Sequence, residues 1–418
     1  MEQISRLLKP GIKIKRWLLL MLLGVLALLF ALLILLWEFL PLLPFGPIEA
    51  KWLWGFYLLL VGILALYLGC RQLLERLVTA LLPEKRGRIA NLLLEESVKE
   101  KGPKIVVIGG GTGSYQALMG LKQYSRNLTA VVSMADSGGS TGRLRNEYGV
   151  LPPGDVRRCL IALSEETPLM QKLFQHRFGK GSLEGHNFGN LFLTALENIT
   201  GSDEKAILEA SNILNIKGKV FPVTLDNSHL HAELENGQVI VGESNIDIPK
   251  HNPNLKIRKV FLKPKAKAYH NAIQAIMDAE MIVIGPGDIY TSIIPNLLVQ
   301  GIPESMKKSK AIKVYVCNLM TKQGETTNYT ASMHLKEIMK YVGFPVDYII
   351  LNNKVPEKRL LRKYEQEHSF LVKNDIEEIE RVGVKAMQGD MLKEPVLVRH
   401  DPEKLAKAIL EIGAQERV

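Results

Sequence analysis

Four stretches of this 418-residue chain set glycines beside hydroxyl, amide and carboxylate side chains, each directly after a short apolar run. The first, Gly109-Gly110-Gly111-Thr112-Gly113-Ser114, follows residues 104–108 (KIVVI). The second begins Asp136-Ser137-Gly138 and reaches Arg143, after residues 128–133. The third is Gly287-Asp288-Ile289-Tyr290-Thr291, after residues 281–285 (MIVIG). The fourth runs from Asn318 through Thr321 to Gly324-Glu325-Thr326, after residues 313–317 (KVYVC). Glycine lets the main chain approach an anion and aim N–H groups at it, and a following helix adds its unpaired N-terminal donors and positive dipole end. One such loop is equally a tight strand-to-helix turn; four together point to a polar pocket for a phosphorylated ligand. The dinucleotide fingerprint fits badly, because Gln116 stands where Gly or Ala should follow Gly111 and Gly113. With no G-x-x-x-x-G-K-[ST], the P-loop NTPase reading is removed.

Single side chains refine the chemistry and keep their bland alternatives. Asp136 suits a metal ion or a ribose hydroxyl, and equally an Asx turn within its own loop. Arg143 and Arg145 suit a diphosphate clamp or plain surface charge. Asp155, in Leu151-Pro152-Pro153-Gly154-Asp155, reads as a helix N-cap rather than a catalytic group. His186, Asn187 and Asn190 lie just before the helical stretch NLFLTALENI, where side-chain and backbone donors would converge on a ligand. Cys70, Cys159 and Cys317 are too few and too scattered for a disulfide framework or a zinc site, which fits a reducing compartment. No clear nucleophile–base pair stands out, favouring binding over catalysis.

The elements that must carry these loops follow from the alternation of buried apolar runs with helical stretches such as AKAYHNAIQAIMDAE. That pattern predicts an α/β fold, a doubly wound and mainly parallel sheet, with ligands outside the carboxyl ends of the strands. Residues 216–263 read as an insertion of hairpin and loop. Ahead of this domain, residues 17–37 and 52–70 are apolar runs long enough to cross a bilayer, with Trp17, Trp37, Trp52, Trp54 and Tyr67 near their ends. The first run is too long for a signal peptide and no small-x-small site follows it. Lys and Arg flank the pair on both outer sides while the loop between holds only Lys51, which predicts a transmembrane hairpin at residues 1–70 in the inner (cytoplasmic) membrane, with both termini and the main domain in the cytoplasm. Residues 71–102 read as an amphipathic connector broken at Pro83 and Gly87, and residues 103–418 as the soluble domain.

Charge adds little. Of the formal net +10, residues 1–101 contribute +5 and the remainder +5. Without a basic stripe interleaved with aromatics, nucleic acid is not expected as a partner.

GGGTG at 109–113, ADSGGSTGRLR at 135–145, LPPGDVRRCLIAL, GHNFGNLFLTAL, GPGDIYTSIIPNLLVQGI and VYVCNLMTKQGET together resemble the family that joins bacterial gluconeogenesis-factor (YvcK-like) proteins with archaeal 2-phospho-L-lactate transferases (CofD-like). The likeness covers nearly all of residues 103–418. NLMTKQGET and the closing Val398-Arg399-His400-Asp401 favour the first branch. The resemblance implies a nucleotide-sugar-binding regulatory protein with UDP-N-acetylglucosamine as typical ligand, needed for cell shape and envelope growth on gluconeogenic carbon, with Tyr364 and Arg399 contacting that ligand. It also implies a cell-wall synthesis or regulatory protein as partner near the membrane, and leaves self-association open. One departure is Asp136-Ser137 where the family commonly has two consecutive Asp, which weakens the case for a paired-carboxylate metal site. The alternative is a transferase of a phosphorylated group, with Mg²⁺ held by Asp136 and Asp288. A nicotinamide-dependent oxidoreductase survives only on the degenerate glycine loop.

Overall fold

A computed structural model describes residues 14–36, 48–81, 96–249, 252–393 and 397–416. The chain divides into two compact units, Met1–Glu96 and Ser97–Val418.

In the first unit the helix Ile14–Leu35 begins with Lys15 and Arg16 and then runs apolar, with neither Pro nor charge from Trp17 on, and a second helix runs Ile48–Leu81. Lys15–Leu35 and Trp52–Arg76 are long and apolar enough to span a bilayer by length and composition. The two helices pack along a small-residue seam. Gly55, Gly62 and Gly69 recur every seven residues, and a methyl group on Gly62 would stand 2.8 Å from Leu28 Cδ2 and 3.0 Å from the Gly24 carbonyl. Backbones can approach this closely only where side chains are absent. The second helix does not end at Cys70: the stretch RQLLERLVTAL continues it to Leu81, so the expected boundary before a separate connector is not a break in structure. Glu75 takes a bond from Arg71 one turn away, supporting this continuation. The expected breaks at Pro83 and Gly87, and Trp37, lie outside the described residues.

The second unit is built on seven parallel strands: β1 (Ile105–Gly109), β2 (Leu128–Val132), β3 (Lys219–Pro222), β7 (Met281–Ile284), β8 (Ile312–Val316), β9 (Tyr348–Asn352) and β10 (Lys385–Gly389), in the order β10-β9-β8-β7-β1-β2-β3. β1, β2 and β7 are buried at every residue, as strands covered by helices on both faces must be. Strand order reverses between β1 and β7, and at such a switch point the two outgoing loops part and leave a crevice. The loops at 110–113 and 285–288 leave the sheet there.

The expected insertion is shorter than read from sequence. β3 belongs to the main sheet as its edge, pairing with β2. Only the following chain forms a separate antiparallel sheet, from β4 (His229–Leu234), β5 (Val239–Val241) and β6 (Ile257–Lys263), with the short helix Glu243–Asp247 after β5.

Candidate functional site

Two cavities open at the switch point and share a wall made of Thr112, Gly113, Gly287 and Asp288. One, of about 430 Å³, is lined by residues 110–113, Asp136, Gly138, Asp155, Arg158, Glu243, Asp247 and Thr291. The other, of about 290 Å³, is lined by Gln116, Asn318, Thr321, Lys322, Tyr364 and Arg399. Both are of the size and concavity that small ligands occupy.

Glycine is needed in the shared wall for steric reasons. A methyl group on Gly113 would overlap the Pro286 carbonyl, and one on Gly110 would overlap the Asp155 carboxylate. Gly111 opens the helix Gly111–Leu121 with φ +60, in the left-handed region. The anion this loop holds is the protein's own: Asp155 accepts the Gly111 N–H. Asp155 is therefore not the expected N-cap. The cap of the helix Pro153–Leu163 is Pro152, and Asp155 lies within its first turn.

The larger cavity is acidic. Burial, reinforced by neighbouring Asp136, pushes Asp155 up to about 7 against the opposing pull of Arg158. Burial, again followed by Asp136, pushes Glu243 up to about 8. Asp136 itself accepts the Gly138 N–H at 2.9 Å, so the Asx turn is made while its carboxylate still lines the cavity. Arg158 Nη1 donates to Thr112 Oγ1 at 3.3 Å and stands 3.9 Å from Asp155.

Between the cavities lies an ionic knot. Among the described residues, Asp247, Asp288 and Glu325 are the group of three carboxylates whose oxygens approach within 4.8 Å of one another. The Lys322 ammonium fills their centre, bonded to Asp247 and 2.8 Å from both Asp288 and Glu325. Burial alone would pull this lysine down, but the three carboxylates outweigh it and hold its pKa above the ordinary value. Three carboxylates share one ammonium, so the most buried, Glu325, is pushed up to about 8, chiefly by burial. Asp288 is thus engaged by a lysine, where the sequence suggested a metal.

The sequence profile of the family described as 2-phospho-L-lactate transferase CofD matches residues 105–392. The Bacillus subtilis gluconeogenesis factor is 44% identical over 314 residues, 74% of this chain and 98% of its own. A relative from Clostridium acetobutylicum is 42% identical over 415 residues, 97% of this chain and 90% of its own. This chain belongs to the gluconeogenesis factor family. A crystal structure of a Bacillus halodurans protein of the UPF0052 family superposes with TM-score 0.71 at 44% identity, covering 74% of this chain and 99% of that one.

In this gluconeogenesis factor family member the expected site residues divide in two. Gly110, Gly111, Thr112, Gly113, Asp136, Gly138, Gly287, Asp288 and Thr291, with Asn318, Thr321, Tyr364 and Arg399, line one cavity or both. Tyr364 Oη also accepts the Val398 N–H at 3.2 Å, tying it to the strand that carries Arg399. The others are set back from the walls. His186 is buried with Nδ1 3.2 Å from Ser140 Oγ, Asn187 caps the helix Phe188–Thr200, and Asn190 bonds Ser140, Thr141 and Arg157. These three form a polar core beneath the helix Gly139–Tyr148, because buried donors and acceptors must find one another. Arg143 donates to the Glu184 carbonyl, Arg145 is buried against Asn227 and Ser228, and neither lines the two cavities. Ser137 bonds Ser244, Tyr290 is buried against Tyr329, Gly324 packs on Pro249, Thr326 accepts the Lys322 N–H, and Glu325 belongs to the knot.

Sequence reasoning missed Asp155, Arg158, Glu243, Asp247 and Lys322 as site residues. Asp155 and Arg158, one turn apart after Pro-Pro-Gly, carried a readable signal. Glu243 and Asp247 carried none, since only the folding back of the β4–β6 sheet brings them to the crevice.

Proposed function

We propose that this protein is a membrane-tethered regulatory protein that binds a nucleotide sugar, UDP-N-acetylglucosamine in the first instance, and acts in cell shape and envelope growth under gluconeogenic conditions. The observation that carries this reading is the convergence of Tyr364 and Arg399, distant in sequence from the glycine loops, on the cavity that shares Thr112, Gly113, Gly287 and Asp288 with its neighbour. Arg399 supplies a forked donor for a diphosphate, Tyr364 an aromatic face, and Asn318 and Thr321 hydrogen-bonding groups for a polar ring. The hairpin helices tether the binding domain to the inner membrane with its main body in the cytoplasm, where a cell-wall synthesis or regulatory protein reads occupancy. Calorimetry on the full detergent-solubilised chain tests the reading: UDP-N-acetylglucosamine binds and is recovered intact. Release of free sugar or UMP would overturn it.

A transferase reading is favoured by one observation, the clustering of Asp136, Asp155 and Glu243 around the larger cavity. Hard carboxylate oxygens fit Mg²⁺, which would neutralise a ligand's phosphates against this acidic wall. Asp136 would be its anchor on that wall, since Asp136, Asp155 and Glu243 line the cavity without converging as Asp247, Asp288 and Glu325 do, and Asp288 stays with Lys322. Mg²⁺-dependent product formation from a phospholactyl-type donor, lost in Asp136→Ala, would establish this reading over the first.

A further inference from the structure

The helix Lys358–Gln366 forms the outer wall of the smaller cavity and carries no fully buried residue. Its inner face presents Leu360, Leu361 and half-buried Tyr364, the residue that lines the cavity. At about 100° per residue, Lys358, Arg359, Arg362, Lys363 and Gln366 occupy one continuous arc on the opposite side. All five are exposed, and none of the four cations forms an ion pair among the described residues. The glutamates of this segment, Glu357, Glu365 and Glu367, lie off that arc. Three large apolar side chains are exposed in the flanking segments and next to Val398: Val355, 64% exposed, Phe370, 44%, and Leu397, 40%. Leu397 adjoins Val398, whose N–H is held by Tyr364.

Unpaired cations along one face, with exposed Val355 and Phe370 just before and after the helix in sequence, match the headgroup region of an anionic bilayer, where lysine and arginine meet lipid phosphates and apolar groups reach the acyl boundary. We infer that the helix Lys358–Gln366 is a docking face for an anionic lipid surface. The inference rests on the membrane-tethered reading, which keeps the domain within reach of such a surface. It adds a consequence: since the helix carries Tyr364 on its other side, lipid contact and ligand binding act on one element and are linked reciprocally.

The test uses the full chain in nanodiscs of phosphatidylcholine with and without phosphatidylglycerol, read by hydrogen exchange over residues 354–370. Phosphatidylglycerol is expected to slow exchange there by about fivefold or more, the factor one cation–headgroup contact supplies. Added salt and the variant K358Q/R359Q/R362Q/K363Q abolish the slowing, while the variant's thermal midpoint stays at the parent value because all four side chains are exposed. Equal exchange in both discs overturns the inference, and slowing by polyglutamate instead reassigns the face to an acidic protein. Retention in the discs, read by size exclusion, reports the tether separately. If the chain leaves both discs, sedimentation with phosphatidylglycerol vesicles still decides the docking face: co-sedimentation lost in the variant supports it, and none refutes it.

Discussion

Lys322 Nζ meets Asp288 Oδ2 at 2.8 Å, joining the loop after β8 to the loop after β7 at the wall between the two cavities. The same ammonium holds Asp247 from the β4–β6 insertion, so three segments far apart in sequence share one positive charge. Removing that charge leaves carboxylates facing one another in a partly dry site. Lys322→Met is expected to destabilise the domain by about 1–3 kcal/mol, discounted from the range for a fully buried pair because the side chain is 28% exposed. Urea unfolding measures it. Adding Asp247→Asn should restore part of the loss, and a double variant no better than the single would contradict the shared-charge account.

Raised carboxylates make stability pH-dependent with a definite sign. Asp155 at about 7, Glu243 at about 8 and Glu325 at about 8 all exceed the ordinary values near 4 that they regain on unfolding. Between those limits these three groups hold more protons folded than unfolded; buried His334 and His400, lowered to about 4, oppose them below the ordinary histidine range, so the fall in unfolding free energy is expected above it, as pH rises toward 8. The contribution is complete below the unfolded values and gone above the folded ones. Denaturation at a series of pH values should show this descent, and Asp155→Asn or Glu243→Gln should flatten it. A rise over the same window would contradict the assignment.

Affinity for an anion should move the same way. Protonated Asp155 and Glu243 repel a phosphate less, so nucleotide-sugar binding is expected to strengthen from pH 8 to pH 6, and titration calorimetry at the two values decides it. At fixed pH, Arg399→Ala should weaken binding by about 1.5–3 kcal/mol if a desolvated diphosphate contact is lost. An unchanged affinity would remove Arg399 from the site.

Two glycines of the crevice should respond differently to alanine. Gly113→Ala drives a methyl group into the Pro286 carbonyl, and about 1–3 kcal/mol of overpacking is expected together with loss of ligand binding. Gly139 has φ +47 with nothing within 4 Å of an added methyl group, so Gly139→Ala carries only the left-handed backbone penalty of about 1 kcal/mol. Thermal unfolding of the two variants separates close approach from conformation.

In the hairpin, Gly62→Leu should part the helices because Leu28 and the Gly24 carbonyl already touch that position. Cysteine cross-linking between the helices, efficient in the parent and lost in the variant, measures this. Leu60→Ala, at a position 63% exposed, should leave it unchanged.

The sheet was legible because β1, β7 and most of β2, β8 and β9 are apolar runs, with glycine closing β1 and following β7, a signal that depends on local sequence alone. β3 and β10 carry no such signal, since Lys219–Pro222 and Lys385–Gly389 lie at the two edges of the sheet, where burial is incomplete. Loop residues at the switch point were legible for the same local reason. The polar cluster of His186, Asn187 and Asn190 was read as a binding site because a buried hydrogen-bond core and a ligand pocket use the same side chains. What tells them apart is whether Ser140 and Arg157 already satisfy those groups, a fact of tertiary packing. Nothing local singles out Lys322 on a basic chain, since only folding brings Asp247 beside it.

A common partition has a thermodynamic consequence for whatever lodges there. A guest long enough to reach both chambers has its second half delivered at high effective concentration once the first is seated, so the intact molecule should surpass the combined affinities of its fragments. Truncated analogues would then be poor competitors however well each half fits its own compartment.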